Sequence, residues 1–128
     1  MKQAHVIVVG SGIAGLIAAL ELSRGFRVTL VTKSRLAESN TRYAQGGIAA
    51  VMFADDSVPE HIADTLTAGA GLCNPLAVEV LCTEGPQRIR DLIRLGVEFD
   101  YSGKDLSRGL EAAHSHARVL HAAAMRPG

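Results

Sequence analysis

Hydrophobic and polar positions at the start of the chain predict a strand, a helix and a second strand. The run HVIVVG, which begins at His5, is apolar and β-branched, as in a strand buried on both faces of a parallel sheet. The segment LIAALELSRG is rich in helix formers and stops at Gly25, a residue type that commonly ends helices. FRVTLVT then returns to a strand pattern. Together these segments predict a βαβ unit with a right-handed crossover.

Two capping signals predict helices in the middle of the chain. Ser57, followed three residues later by Glu60, forms a capping box at the start of DSVPEHIADTLTAGAG. Asn74 and Pro75 supply a cap and a first helical residue for NPLAVEVLCTEGPQRIRDLIRLG.

The second of these segments contains a helix-breaking pair. We expect Gly85 and Pro86 to divide it into two helices, of which the latter ends at Gly96. VEFDY then predicts a short strand, and SGKDLSRGLEAAHSHARVLHAAA predicts turns that lead into a helix. No linker composition interrupts the chain, so residues 1–128 are predicted to belong to one domain.

Composition indicates an ordinary globular protein. The formal net charge is zero and 48% of the residues are hydrophobic, which gives no support to nucleic acid or an acidic membrane surface as a partner. AHVIVVGSGIAGLIAALEL is nearly long enough to cross a membrane, but Glu21 interrupts it and its glycines are spaced as a motif. Cys73 and Cys82 lack metal-ligand spacing, and we expect both to be reduced residues in helices of a cytoplasmic protein.

A glycine motif lies between the first strand and the first helix. Gly10, Gly12 and Gly15 form G-x-G-x-x-G, in which the first glycine permits a tight turn and the second lets backbone approach a pyrophosphate. The third allows close packing of helix on strand. Backbone N–H groups and the helix dipole then hold the phosphates, so the motif predicts a dinucleotide site.

The end of the second strand leaves the dinucleotide open. NAD-binding units place an acidic residue there for the ribose hydroxyls, whereas this chain has Thr32 and Lys33, with Arg35 close behind. The basic residues fit a 2′-phosphate, or they are solvated loop charges. At this point NADP and FAD remain close alternatives.

The loop SNTRYAQGGIAAV, residues 39–51, favours FAD. Its adjacent Gly46 and Gly47 permit backbone conformations that let a flat ring lie against the main chain. Thr41, Tyr43 and Gln45 can supply hydrogen bonds to such a ring. The alternative interpretation of the two glycines alone is a tight turn in an ordinary loop.

GSGIAG, VTK, SNTRYAQGGIAAV, ADTLTAGAGLCNP and EAAHSHARVLHA together resemble the L-aspartate oxidases, flavoproteins of the succinate dehydrogenase/fumarate reductase superfamily. The resemblance extends to about residue 123 and implies an α/β fold, a Rossmann-like βαβ FAD-binding domain of which this chain is the N-terminal portion only. The implied contacts with the FAD pyrophosphate are Gly10, Ser11, Gly12, Ile13, Ala14 and Gly15. Lys33 takes the place of the missing acid. The implied contacts around the flavin are Asn40, Thr41, Arg42, Tyr43, Ala44, Gln45, Gly46 and Gly47.

The resemblance also implies how FAD is held and what it does. Respiratory relatives that attach FAD covalently carry a histidine where this chain has Asn40, so we expect a non-covalent cofactor. The implied reaction is oxidation of L-aspartate to iminoaspartate, with oxygen or fumarate as electron acceptor. It is the first step of de novo NAD biosynthesis, which makes quinolinate synthase an implied partner.

Active-site candidates lie in GLEAAHSHARVLHA. The resemblance places Glu111 near the substrate amino group, although an acid at a helix start is an equal alternative. Ala112 and Ala113 replace two family glycines, which puts the direction of Glu111 in doubt. His114 is a weaker candidate near the flavin, or else a structural histidine.

The three histidines of this segment do not predict a metal site. His114 and His116 would lie on different sides of a helix, and His121, which can share a face with His114, is joined by no carboxylate or thiol that completes a site. Arg118 is most simply a surface charge.

The resemblance also indicates what the chain lacks. Later FAD-domain strands, the capping domain, the C-terminal helical region and the arginine expected as catalytic base are absent, so we expect the chain alone to be inactive and poorly soluble or unstable. After VLHAA the family continues Asp-Ala-Thr-Gly, whereas this chain ends in AMRPG, which a one-base shift of those codons can produce. A frameshift or sequencing error near residue 123 is therefore expected, with a deliberately shortened chain as the alternative.

Three other interpretations remain open. The chain can belong to another flavoprotein of the superfamily, such as a fumarate reductase or succinate dehydrogenase subunit. It can also be a small NADP- or nucleotide-binding module without chemistry of its own, or a gene remnant. Preference for FAD over NADP separates the binding module from the flavoproteins.

Overall fold

The structure is a computed structural model that describes residues 4–36, 38 and 47–122. It separates into two compact units, Met1–Gln45 and Gly46–Gly128, each of which is treated by itself below. This division could not be predicted from the sequence, because no proline- or glycine-rich linker marks the boundary.

The first unit is the predicted strand–helix–strand. Strand β1 is His5–Val9, helix α1 is Ile13–Ser23 and strand β2 is Arg27–Val31. The strands pair in parallel, from His5 opposite Arg27 to Val9 opposite Val31. The helix begins earlier than the sequence pattern predicted, at Ile13 rather than after Gly15, because the glycine turn is completed within three residues of β1.

One face of this small sheet is open among the described residues. Side chains along both strands alternate between half-buried and exposed, and Val9 is 81% exposed. The expectation that β1 is buried on both faces is therefore wrong for this chain. Burial of both faces requires helices on both sides of a sheet, and α1 is the one helix that the structure describes in this unit.

The described part of the second unit combines two helices with two short strand pairings. The helices are α2, Val58–Ala68, and α3, Pro75–Arg94. The strands are β3, Ile48–Ala49; β4, Tyr101–Ser102; β5, Asp105–Leu106; and β6, Val119–Leu120. Antiparallel pairing joins β3 to β6 and β4 to β5, and single bridges link Phe99 to Ala122 and Gly109 to Val119.

Both predicted N-caps are confirmed, but the second bond of the predicted capping box is not, because the Ser57 N–H donates to the Asp56 carboxylate rather than to Glu60. The Ser57 hydroxyl accepts the Glu60 N–H at 3.4 Å and donates to the Glu60 carboxylate at 2.6 Å. The Asn74 side-chain oxygen accepts the N–H groups of Leu76 and Ala77 at 3.0 and 3.3 Å. Local side-chain chemistry thus sets the start of each helix.

The predicted break at Gly85 and Pro86 is wrong, because α3 runs continuously through both residues. Val78 and Cys82 before the proline and Ile89 after it are all buried. Packing on both sides therefore holds the helix together, although proline removes one backbone hydrogen bond. The helix ends at Arg94, and Gly96 turns the chain away with φ +93°.

The C-terminal part of the described chain contains turns and short strands where a helix was expected. Residues 111–118 form turns and bends, which lead into β6. VEFDY supplies only the Phe99 bridge and the first residue of β4. Cys73 lies in the loop before α3 rather than in a helix, while Cys82 is buried within α3, and both are free thiols.

The core of the second unit joins α3 to the strands. Its buried members are Ala50, Ile89, Phe99 and Leu120, with partly buried apolar residues packed around them. Strand β6 is thus buried in this core, and its packing holds the end of the segment that precedes it. Among the described residues, no helix is long and apolar enough to span a membrane.

Candidate functional site

The turn between β1 and α1 requires glycine at two positions. Gly10 has φ +111°, a left-handed conformation that other residues rarely adopt, and its N–H donates to the Val31 carbonyl at 2.8 Å. A Cβ atom on Gly15 would fall far inside contact distance of the Gly10 carbonyl oxygen. Helix and strand therefore approach as closely as the motif predicted.

The first turn of α1 is suited to an anion. Gly12 is the N-cap, no described side chain forms a capping hydrogen bond there, and the first turn contains no acidic residue. The first turn of α1 therefore presents the positive end of the helix dipole and contributes no carboxylate of its own. The residues present fit the pyrophosphate of a dinucleotide such as FAD.

Ser11 takes a different part in this turn from the one its motif position implies. The residue is only 5% exposed, and its hydroxyl lies 2.8 Å from that of Thr32, at the end of β2. Its side chain is thus engaged inside the protein, which leaves the backbone as the part of Ser11 suited to a ligand. Lys33 and Arg35, which follow Thr32, are exposed.

Most of the predicted flavin loop lies outside the described residues. These are Asn40, Thr41, Arg42, Tyr43, Ala44, Gln45 and Gly46. Gly47 is described, and a Cβ there would collide with the Val119 side chain and lie 2.8 Å from the Leu120 carbonyl oxygen. Close packing of Gly47 against β6 therefore requires a glycine whether or not a flavin is bound.

Glu111 lies in a turn and not at a helix start, so the helix-dipole interpretation of this residue is wrong. Its carboxylate accepts a hydrogen bond from His121 Nε2 at 3.0 Å, and both side chains are partly exposed. Ala113, one of the two alanines in place of family glycines, has φ +69°. The bend associated with glycine is thus retained here by an alanine.

Arg118 is completely buried, so its assignment as a surface charge is wrong. Its Nε and Nη2 donate to the two carboxylate oxygens of Asp56 at 2.8 and 2.7 Å, and Nη1 donates to Asp64 at 2.5 Å. Burial is the largest single influence on Asp56 and opposes its ionisation, but the hydrogen bonds from Arg118 and the Ser57 N–H, together with the charge of Arg118, outweigh burial and hold the pKa of Asp56 below its usual value. The same bonds raise the pKa of Arg118.

Asp64 connects this arginine to the segment before β6. One carboxylate oxygen accepts both the N–H and the hydroxyl of Ser115, each at 2.8 Å. The Ser115 N–H, followed by the Ser115 hydroxyl and Arg118, lowers the pKa of Asp64 well below its ordinary range. We call Asp56, Asp64, Ser115 and Arg118 the arginine cluster.

Two histidines border the arginine cluster. His114 Nδ1 lies 3.3 Å from Arg118 Nη1, and because arginine only donates, this contact requires an unprotonated Nδ1. The ring of buried His61 lies 5.7 Å from that of His114. Burial, followed by the positive charge of Arg118, lowers the pKa of His61, whose Nδ1 has no hydrogen-bond partner among the described residues.

A possible cation site beside the cluster is already engaged. The side-chain atoms of Asp56, Glu60 and His116 that could coordinate a metal ion lie within 4.8 Å of one another. Both carboxylate oxygens of Asp56 are bonded to Arg118, however, so the positive charge that a cation would supply is present. The expected separation of the histidines on a helix was wrong, because residues 111–118 are not helical.

Sequence reasoning missed the arginine cluster because its partners are distant in the chain. More than fifty residues separate Arg118 from Asp56 and from Asp64. One signal was available, since Arg118 comes directly before Val119 and Leu120, an apolar pair that forms the buried strand β6. A charge at the entrance to a buried strand requires a partner.

Comparison with known proteins supports the dinucleotide site that the glycine turn indicates. The family model described as FAD binding domain matches residues 5–128. L-aspartate oxidase of Synechocystis is 53% identical over 122 residues, 95% of this chain and 22% of the relative. The chloroplastic L-aspartate oxidase of Arabidopsis thaliana is 52% identical over 97% of this chain and 19% of its own length.

Solved structures show the same fold. Sdh1 of Mycobacterium smegmatis in complex with UQ1 superposes with a TM-score of 0.84 at 35% identity, over 93% of this chain and 20% of that one. Quinol fumarate reductase FrdA of E. coli gives 0.82 at 27% identity, over 94% and 21%. The chain spans about a fifth of the length of the curated relatives. On its sequence, its glycine turn and these matches, the chain belongs to the FAD binding domain family.

Proposed function

We propose that this chain supplies the N-terminal, cofactor-binding part of a FAD-dependent L-aspartate oxidase. The observation that carries the proposal is the turn at Gly10, Gly12 and Gly15, which opens helix α1 against a parallel strand pair. The identity of just over half to L-aspartate oxidases along nearly the whole chain supports this enzyme over other flavoproteins of the superfamily.

The residues proposed to bind the cofactor have separate roles. Backbone N–H groups of residues 11–14 bind the pyrophosphate, aided by the positive end of α1. Lys33 lies at the end of β2, where an acid is absent, and approaches the adenosine ribose. Residues 40–47 surround the flavin, and Asn40 leaves the cofactor unattached because an amide forms no covalent link to it. When bound, FAD accepts hydride from the substrate Cα.

The residues of the second unit act on the substrate. Glu111 accepts a hydrogen bond from the ammonium group of L-aspartate in place of the one from His121. His114 keeps Nδ1 toward Arg118, so its Nε2–H is the donor available to a substrate carboxylate. Iminoaspartate is the product, oxygen or fumarate receives the electrons, and quinolinate synthase takes the product onward.

Cofactor preference tests the proposal directly. Quenching of flavin fluorescence on titration gives the affinity for FAD, and equilibrium dialysis gives that for NADP. We expect FAD to bind and NADP to bind at least tenfold more weakly. Gly15→Ala should abolish binding because its Cβ overlaps the Gly10 carbonyl, whereas Gly25→Ala, whose Cβ meets nothing within 4 Å, should bind normally. Preference for NADP would favour the small binding module.

Substrate preference is tested in a chimera of full enzyme length. Residues 5–122 of this chain replace the matching segment of the Synechocystis relative. L-aspartate, and not succinate, should bleach the flavin absorbance under anaerobic conditions. Glu111→Gln in the chimera should raise KM for L-aspartate more than it lowers kcat, because it weakens an ammonium contact made before the reaction. Bleaching by succinate alone would contradict the proposed substrate.

A further inference from the structure

The glycine turn is attached to the end of β2 by two hydrogen bonds. The Gly10 N–H donates to the Val31 carbonyl at 2.8 Å. One residue further along each segment, the hydroxyls of Ser11 and Thr32 lie 2.8 Å apart. The second bond joins side chains, so it is the one that substitution can remove without altering the backbone.

The Ser11 hydroxyl is placed to hold the turn. With 5% of the residue exposed, the side chain is enclosed by protein, and the hydrogen bond to Thr32 satisfies a hydroxyl that would otherwise be buried without a partner. The backbone N–H groups that face an anion belong to the same turn. Their direction therefore depends on how firmly Ser11 is held.

Thr32 also occupies an informative position. A nucleotide-binding unit of this type commonly ends its second strand with an acid that reaches the ribose. Here the residue that directly follows β2 is a half-buried threonine, which contacts the phosphate turn instead. We propose that Thr32 is a positioning residue, which orients the pyrophosphate-binding turn through Ser11. This inference rests on the proposed binding of FAD.

The test compares two threonine substitutions in the full 128-residue chain, one within β2 and one directly after it. Thr32→Val removes the hydroxyl that holds Ser11, while Thr29→Val removes one that contacts exposed His5 at 2.9 Å. Affinities for FAD and for ADP are measured by fluorescence quenching and calorimetry at 10 °C. We expect Thr32→Val to weaken both ligands by about five- to tenfold, since one buried hydroxyl loses its partner. Thr29→Val should stay within twofold.

Two further variants separate positioning from general destabilisation. Thr32→Ser keeps a hydroxyl and should restore most of the affinity. In a double-mutant cycle, Ser11→Ala with Thr32→Val should bind FAD no more weakly than Ser11→Ala alone, because Thr32 acts through Ser11. If far-UV circular dichroism shows that Thr32→Val is unfolded, Ser11→Ala and Thr32→Ser carry the comparison.

The outcomes are distinct. The inference is supported if Thr32→Val binds FAD more weakly, Thr32→Ser recovers the affinity, and the double variant loses no more affinity than Ser11→Ala alone. Three results would overturn the inference and leave the proposed FAD binding intact. These are an unchanged affinity in Thr32→Val, equal losses of affinity in Thr29→Val and Thr32→Val, or additive losses in the double-mutant cycle. If the unaltered chain binds neither FAD nor ADP, the inference and the proposed cofactor role both fail.

Discussion

Replacement of Arg118 by methionine tests the importance of the arginine cluster. Methionine has a similar length and no charge, so the change removes hydrogen bonds with little change in volume. Asp56, whose side chain is fully buried, would lose the donors to both carboxylate oxygens and keep the Ser57 N–H at 2.8 Å. Asp64 would keep both bonds from Ser115.

The expected loss is dominated by Asp56. Removal of one partner from a buried ion pair costs about 3–5 kcal/mol, since the remaining charge is left in a poorly solvating interior. The remaining Ser57 bond places Arg118→Met near the lower value, about 3 kcal/mol. For a domain of this size that is a large part of the whole stability, which is of the order of 10 kcal/mol.

Arg108→Met is the matched control. Arg108 also donates two hydrogen bonds to one carboxylate, that of Asp55, at 2.6 and 2.9 Å. This pair is at the surface, with the Asp55 side chain 62% exposed, so water replaces the lost bonds and the effect should be far smaller. The two arginines differ in burial and in their second contact, which is Asp64 for Arg118 and the ring of Phe53 for Arg108.

Urea unfolding followed by far-UV circular dichroism measures both variants. With a slope of about 1–3 kcal/mol per molar urea, the Arg118→Met midpoint should fall by at least about 1 M, while that of Arg108→Met should barely move. Adding Asp56→Leu to Arg118→Met should recover part of the loss, because the unpaired charge is then gone. Equal midpoints for the two single variants would refute the argument from burial.

Three further changes have expected outcomes. The pKa of His61 lies below the ordinary 6.5 because burial and neighbouring positive charge disfavour its protonation. Below pH 6.5 the unfolded chain therefore binds a proton at His61 more readily than the folded chain does. The contribution of His61 to stability should be complete above pH 6.5 and should decline as the pH falls below 6.5. Urea midpoints across pH should show this decline and His61→Leu should remove it; an unchanged profile would count against the burial of that ring. Ala113→Gly should raise the melting temperature by relieving φ +69°, a net gain of about 0.5–1 kcal/mol, whereas Ala112→Gly should lower it; a loss in both would disprove the strain. Gly47→Ala should cost about 1–3 kcal/mol through overlap with β6, against no comparable loss in Gly25→Ala, and equal melting temperatures would contradict the packing at that position.

Features with local causes could be predicted from the sequence. The βαβ unit follows from runs of β-branched and helix-forming residues, and the caps at Ser57 and Asn74 follow from side chains that reach N–H groups two or three residues away. The glycine turn belongs to the same class, because φ at Gly10 and contact at Gly15 are set within one short segment. In each case the interacting groups are close in sequence.

Features with distant causes could not be predicted in this way. Pro86 suggested a break, but contacts made by both halves of α3 with the core keep the helix continuous. The apolar, alanine-rich pattern after Glu111 suggested a helix, but its polar groups bond to α2 and to Asp56 instead. Burial of β6 and the charge requirement of Arg118 decide the conformation there, and neither is visible as a period in the sequence.

The arginine cluster and the strain at Ala113 have a common explanation. A left-handed alanine persists only where the surrounding structure fixes the backbone more strongly than the residue resists. Asp64 fixes the backbone two residues after Ala113, because its carboxylate accepts the Ser115 N–H. Arg118 holds Asp64 in turn. If this is correct, Arg118→Met lets Ala113 relax, and Ala113→Gly then adds little stability in that background. Additive effects of the two changes would mean that the turn before β6 holds its shape independently of the cluster, and that the segment carrying Glu111 is positioned by its own sequence.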